Sequence, residues 1–273
     1  MLKKELWFFI YNIMANDYYI HIKDANLSYP SAVYNGLSLK QEVFRLLKRK
    51  QPSQLRYDVH ALKGITLDIH EGEKVGVIGR NGSGKTTLLK AIAGLYPLQS
   101  GVIETAGRIR SMFELNVGFE PEATGRENIT YRGLLLGETP KSIREKEAEI
   151  IAFADIGDFI DYPLKAYSSG MIVRLAFAIS TAVRGNILLM DETLAAGDAA
   201  FQEKARNRMT EIMNDAKILV IVSHDMNTIS RVCNRVLYLK KGEIVADGPT
   251  NEVIKYYLDT VAVNAQAQPS VAN

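Results

Sequence analysis

The 273-residue chain is 47% hydrophobic and 23% charged, the balance of a folded globular protein with one large core or two modest ones. Its 33 Lys and Arg against 31 Asp and Glu give a net charge of +2, which excludes wrapping nucleic acid by bulk electrostatics and leaves any basic patch local. The single cysteine, Cys233, excludes an internal disulfide framework, and no apolar run approaches a bilayer span, so a membrane role has to come through partners.

Residues 1–17 carry Leu6-Trp7-Phe8-Phe9-Ile10-Tyr11 behind Lys3, Lys4 and Glu5. The run is too short for a span and no small-residue cleavage site comes after it, so it reads as an interfacial or docking extension, or as sequence ahead of a natural start at Met14. Residues 18–27 alternate and are rich in aromatic and β-branched side chains, a strand ending at Ser28-Tyr29-Pro30. An insert lies at about 37–52. Ser38-Leu39-Lys40-Gln41 has capping-box spacing, Leu39, Val43, Leu46 and Leu47 share a helical face, and Lys40, Arg45, Lys48, Arg49 and Lys50 fill the remainder. A basic amphipathic helix of this kind suits a membrane surface or a partner's helices, and equally a solvated helix over a core.

Residues 62–69 alternate as a second strand, and 71–73 turn the chain into the apolar run Val75-Gly76-Val77-Ile78. Next comes Gly79-Arg80-Asn81-Gly82-Ser83-Gly84-Lys85-Thr86-Thr87 and a helix-patterned segment, the order of strand, glycine-rich turn and helix that a phosphate-binding loop requires. Gly79, Gly82 and Gly84 let the backbone curl so that successive N–H groups face a polyphosphate at a helix N-terminus. Lys85 supplies a charge for the β- and γ-phosphates, and Thr86 a hydroxyl for Mg²⁺. This motif alone specifies a nucleoside triphosphate.

Residues 101–104 begin another strand, and Thr139-Pro140 opens a helix to about 155. Residues 126–184 carry helix patterns without alternating strands, which predicts a helical subdomain inserted into an α/β core. The apolar run 186–190 reads as a buried parallel strand with Asp191 and Glu192 at its carboxyl end, where ligands gather in open α/β sheets. Residues 218–222 form a second such strand, ending at Ser223-His224-Asp225. A hairpin around Lys240-Lys241-Gly242, a short helix over 251–258 and a small, polar tail over 261–273, expected to be disordered, complete the chain.

Asp191 is placed to hold Mg²⁺ and Glu192 to polarise an attacking water, although an Asp-Glu pair by itself is more often a solvated loop edge. His224 can meet the γ-phosphate or that water. Tyr167-Ser168-Ser169-Gly170-Met171, ahead of an apolar helix pattern, offers hydroxyls, N–H groups and a positive dipole end; serine N-capping is the simpler reading.

Together these motifs, over roughly residues 18–258, make the chain resemble the ATP-binding-cassette (ABC) ATPases. The resemblance implies an α/β P-loop core with an antiparallel β subdomain and the inserted helical subdomain, in one ATP-binding domain over 18–260. It makes residues 79–86 Walker A, 187–191 Walker B, Glu192 the catalytic glutamate, His224 the switch histidine, and residues 195–198, with Asp198, the D-loop. It also implies a head-to-tail homodimer in which Walker A of one copy, with Arg80, Asn81, Ser83 and Thr87 lining it, and Ser168, Ser169 and Gly170 of the other sandwich each ATP, with Mg²⁺ at Thr86 and Asp191.

The Tyr-Ser-Ser-Gly-Met signature, the sequence of residues 191–198, the segment 119–128 and the basic insert further resemble exporters of bacterial surface polysaccharides. That resemblance implies a peripheral ATPase on the cytoplasmic face of the inner membrane, moving lipid-linked O-antigen, capsule or teichoic acid through a polytopic membrane subunit, with no nucleic acid involved. The chain ends soon after its last helix, which implies that it lacks the carbohydrate-binding carboxyl-terminal domain of some of these ATPases. Glu114 stands where the family's Q-loop glutamine is expected, and the adenine-stacking face is Tyr29 or, alternatively, His60. The rivals are a soluble cassette acting on ribosomes or DNA, a module that has lost catalysis, and an importer ATPase.

Overall fold

The computed structural model describes residues 18–31, 57–113, 117–191 and 199–266. The N-terminal extension, the basic insert at 37–52, Glu114, Glu192 and Asp198 lie outside the described residues. Among the described residues the strands are β1 (Tyr19–Ser31), β2 (Tyr57–His70), β3 (Lys74–Ile78), β4 (Ser100–Ala106), β5 (Ile109–Met112), β6 (Ile187–Asp191), β7 (Ile218–Val222), β8 (Arg235–Lys240) and β9 (Glu243–Pro249). The helices are α1 (Lys85–Ile92), α2 (Gly125–Leu135), α3 (Pro140–Ala154), α4 (Ser169–Ala182), α5 (Ala199–Asp215), α6 (Met226–Val232) and α7 (Thr250–Gln266). They build a mixed α/β architecture around two sheets: an antiparallel sheet ordered β2-β1-β4 and a larger one ordered β5-β6-β7-β3-β8-β9, parallel except at β8/β9.

The larger sheet is covered on both faces, so its central strands are continuous apolar runs rather than alternating ones. Every residue of β7 is buried, as are the first four of β6. The antiparallel sheet alternates, but its parity changes midway in β1, where Ile20 and Ile22 point inward and then Ala25 and Leu27 do. The register with β2 shifts between Ile22 and Ala25, and Asp24 between them has φ 49°, so a bulge inserts the extra residue that moves the apolar set to the next parity. One core lies between the two sheets and contains Leu88, Leu89 and Ile92 of α1. A second, around Phe177, Phe201 and Ile221, covers the opposite face of the larger sheet.

Residues 125–182 hold α2, α3, two 3-10 turns (Gly157–Asp161 and Leu164–Ala166) and α4, around a third core of Ile129, Ile143, Ile160, Leu175 and Ile179. Thr124 and Glu127 form a reciprocal capping box on α2, and Pro140 opens α3 behind the Thr139 cap. Strand β5 was not legible as a strand because Arg110 interrupts its apolar character. Arg110 is nevertheless 7% exposed and donates to Ser180 O at 2.7 Å. Burial, and then the nearby Arg208 charge, lower its pKa to about 10.

The C-terminal region differs from the expectation of a short helix and a disordered tail beginning at 261: α7 continues to Gln266. Val253, Ile254 and Tyr257 seat it on the second core, and no Gly or Pro interrupts residues 250–266, so the helical hydrogen bonds propagate past the packed part. Cys233 is buried, and burial pushes its pKa up to about 12.

Candidate functional site

The candidate phosphate-binding loop joins β3, in the middle of the sheet, to α1. Its backbone needs glycine at two positions of close approach. Gly79 has φ 147°, and a Cβ there would stand 2.2 Å from Leu239 O; Gly84 has φ 103°, and its Cβ would stand 2.4 Å from Ala61 O. The loop is clamped from outside by Gly242 N–H donating to Ser83 O at 2.9 Å, while Lys63 N–H donates to Gly242 O at 2.9 Å. The turn between β8 and β9 therefore anchors both the loop and β2.

Three features of this loop suit a polyphosphate. Gly84 caps α1 without any side-chain hydrogen bond, leaving the first N–H groups of the helix to an anion. Ser83 is 5% exposed and its hydroxyl has no hydrogen-bond partner among the described residues. The ammonium of Lys85, itself buried, folds over the loop and donates to Gly79 O at 2.8 Å and Arg80 O at 3.1 Å. A phosphate oxygen is a stronger acceptor for that ammonium than either carbonyl.

Sheet register brings Asp191 and the histidine to the loop. Val77 of β3 pairs with Val222 of β7, and Val222 pairs with Asp191 of β6, so the carboxyl ends of three parallel strands lie in one row. Thr86 Oγ1 donates to Asp191 Oδ2 at 2.8 Å, putting a hydroxyl and a carboxylate together in a pair that can hold a hard cation. His224, exposed just beyond β7, lines a cavity of about 420 Å³ with Arg80 and Asn81. Its backbone is held by groups that sequence reasoning missed. Ser223 Oγ accepts from Asp225 N at 3.0 Å, and Asp225 caps α6 through Asn227 N and Thr228 N. The Thr228 hydroxyl, followed by the Asn227 N–H, holds the Asp225 carboxyl below the usual range. The spacing Asp225-x-x-Thr228 was the available signal.

Ser168 caps α4, its hydroxyl accepting from Met171 N at 3.2 Å, while Ser168 and Ser169 are exposed. The serine cap expected from the sequence is therefore present, and it leaves the exposed side of the turn open. Tyr29 is half-buried: its hydroxyl donates to Thr87 Oγ1 at 3.2 Å and its ring meets Tyr96 edge-on at 5.7 Å. His60 is exposed, with Nδ1 2.8 Å from Ser28 Oγ.

The fold is that of known nucleotide-binding cassettes. A dimeric ATP-binding cassette solved in a post-hydrolysis state with ADP and Pi superposes with a TM-score of 0.60 at 23% identity, over 85% of this chain and 98% of that one. The ATP-binding subunit of an ABC transporter does so with a TM-score of 0.63 at 19% identity, over 90% and 98%. The sequence is 42% identical over 225 residues to the O-antigen export system ATP-binding protein RfbE of Yersinia enterocolitica, covering 81% of this chain and 94% of that protein. It is 41% identical over 251 residues to the O-antigen export system ATP-binding protein RfbB of Myxococcus xanthus, spanning 91% of this chain but 57% of that longer relative. Identity to the teichoic acids export ATP-binding protein TagH of Shouchella clausii is 39% over 239 residues, 85% of this chain and 66% of that protein. The family model described as ABC transporter matches residues 62–195, and with the nucleotide-binding fold and these relatives the chain belongs to the ATPases of the ABC transporter family.

Proposed function

We propose that the chain is the ATP-hydrolysing subunit of an exporter that moves a lipid-linked surface polysaccharide, O-antigen foremost, or a capsular or teichoic acid polymer, across the cytoplasmic membrane. The observation that carries the reading is the Thr86–Asp191 pair beneath a loop whose buried lysine, and whose serine hydroxyl without a partner among the described residues, suit a triphosphate. The relatives named for O-antigen and teichoic acid export supply the transported class.

In this reading the backbone of residues 79–84 cradles the phosphates and Lys85 neutralises them, with Arg80, Asn81 and Thr87 at the rim. Thr86 and Asp191 hold Mg²⁺, which supplies positive charge to the phosphate oxygens when bound. Glu192 orients and deprotonates water, and His224, exposed beside Arg80 and Asn81, contacts the γ-phosphate side. Ser168, Ser169 and Gly170 of a second copy close over the nucleotide, with Asp198 at the seam and Glu114 in the Q-loop place. The exposed imidazole of His60 is better placed to stack on adenine than Tyr29, whose ring and hydroxyl are engaged by Tyr96 and Thr87.

ATP binding joins two copies and hydrolysis separates them. No helix among the described residues is long and apolar enough to cross a membrane, so the reading requires a polytopic partner. The exposed Val117, Tyr131, Leu134 and Leu135, on α2 and the segment before it, support contact with that subunit at the cytoplasmic face.

The test is ATPase activity in membranes co-expressing the chain with the membrane subunit encoded beside it, with and without the lipid-linked polymer of the same locus. Stimulation by polymer, lost in Glu192→Gln, is the expected result. Hydrolysis indifferent to both partner and polymer would overturn the export reading and leave the ATPase.

A further inference from the structure

Tyr167 precedes the residue 168–170 turn and has no role in the nucleotide contacts proposed above. Its ring is buried in the third core, edge-on to Phe159 at 6.3 Å, and its hydroxyl donates to Phe159 O at 2.5 Å. The first residue of α2 presses on the same hydroxyl from the other side. A Cβ on Gly125 would stand 2.2 Å from Tyr167 Oη and 3.0 Å from Ile160 O, so only glycine allows this approach. The Gly125 N–H itself donates to Tyr162 O at 3.3 Å, and burial and the Asp161 charge raise the pKa of the phenol, so the hydroxyl stays protonated near neutral pH.

Helix α2 is tied to the loop before it by one buried side chain. Asn128 is fully buried; its amide donates to Glu120 O, Ala123 O and Thr124 O at 2.9–3.2 Å, and its carbonyl accepts from Glu120 N at 2.8 Å. The outer face of α2 carries the exposed Tyr131, Leu134 and Leu135. That face and Gly125 belong to one helix, and Gly125 abuts the hydroxyl of the residue before Ser168.

We propose that Tyr167 is a positioning residue: its hydroxyl, pinned to Phe159 O and packed against Gly125, sets where Ser168, Ser169 and Gly170 stand and passes shifts of α2 to them. The inference rests on the reading in which those three residues close over a second copy's ATP. Tyr167→Phe keeps the ring and deletes only the oxygen. Gly125→Ala keeps the oxygen and displaces it.

The experiment uses the full chain with Mg²⁺ and ATP. ATP affinity of the single subunit, turnover, and ATP-driven dimerisation in a Glu192→Gln background are measured for the parent, both single variants and the double variant. Tyr167→Phe is expected to keep the subunit's own ATP affinity within about twofold while turnover falls about five- to tenfold and dimerisation shifts to higher ATP by a similar factor. Gly125→Ala lowers turnover as well, and the double variant recovers most of it, because the oxygen that the new methyl meets is gone. Parent-like turnover in Tyr167→Phe, or losses that simply multiply in the double variant, would overturn the inference. A joint fall in ATP affinity and thermal midpoint would overturn it too, as the mark of a purely structural residue. Failure of the Glu192→Gln parent to dimerise at saturating ATP overturns the two-copy reading itself.

Discussion

Thr86 Oγ1 and Asp191 Oδ2 meet at 2.8 Å although 105 residues separate them in the chain. The contact ties the first turn of α1 to the carboxyl end of β6, where the two oxygens can share one cation. Thr86→Ala and Asp191→Asn are each expected to weaken ATP binding about tenfold when Mg²⁺ is present and to converge on the parent when it is chelated. Titration calorimetry with and without EDTA measures this. Parent affinity that ignores Mg²⁺ would remove the metal from this pair.

Glu192 follows Asp191 directly and is the proposed base. Glu192→Gln should bind ATP as the parent does and hydrolyse it about 10²- to 10⁴-fold more slowly, the range a lost general base typically costs. Phosphate release under saturating ATP gives the rate. Turnover at the parent rate would move catalysis to another group.

Asn128 locks the loop before α2 through three carbonyls and one N–H, with no solvent to replace it. Asn128→Ala leaves the Glu120 N–H without its acceptor, while Glu120 O, Ala123 O and Thr124 O keep the N–H groups of Ala123, Leu164 and Asn128, and is expected to cost about 1–3 kcal/mol of stability. Urea denaturation measures the loss, and a change below about 0.5 kcal/mol would mean that water takes over the amide's role.

Glu138 joins the helical subdomain to the core: its side chain is 4% exposed and lies 3.0 Å from Arg108 and 2.7 Å from Lys146. Burial pushes its carboxyl up, but the Lys146 ammonium, the Ser142 hydroxyl and Arg108 outweigh it and hold the pKa below the usual range. Because the folded value is depressed, this stabilisation is present above the unfolded carboxyl's pKa of about 4.3 and is lost as pH falls through the folded value. Glu138→Gln should therefore be less stable than the parent near about pH 6, with the gap closing as the solution is acidified. A gap that is constant with pH, in thermal melts across the acid range, would mean that the carboxylate's charge plays no part.

Much of the site was legible in local order. A strand-like run, a glycine-rich turn ending in Lys85-Thr86, and two apolar runs ending at Asp191 and His224 each carry their meaning in neighbouring residues, because glycine conformations, helix N-termini and buried strands are properties of short segments. The capping signals at Thr139 and Pro140 were readable for the same reason. Strand β5 was not, because the partner that makes a buried Arg110 tolerable is Ser180 O, 70 residues away. Neither was the seat of α7 on the second core through Val253, Ile254 and Tyr257.

The sequence by itself therefore determined the inventory: which segment has the phosphate-loop pattern, which acid and histidine end buried strands, and which stretch is helical. Only the tertiary structure decided their relations. The register Val77–Val222–Asp191 sets the acid beside the loop, the bulge at Asp24 turns β1, Tyr29 is half-buried against Thr87 while His60 is exposed beside Ser28, and Tyr167 is wedged against Gly125. Each of these is a contact between segments distant in the chain, fixed by packing and strand pairing, and local residue pattern does not encode such distances.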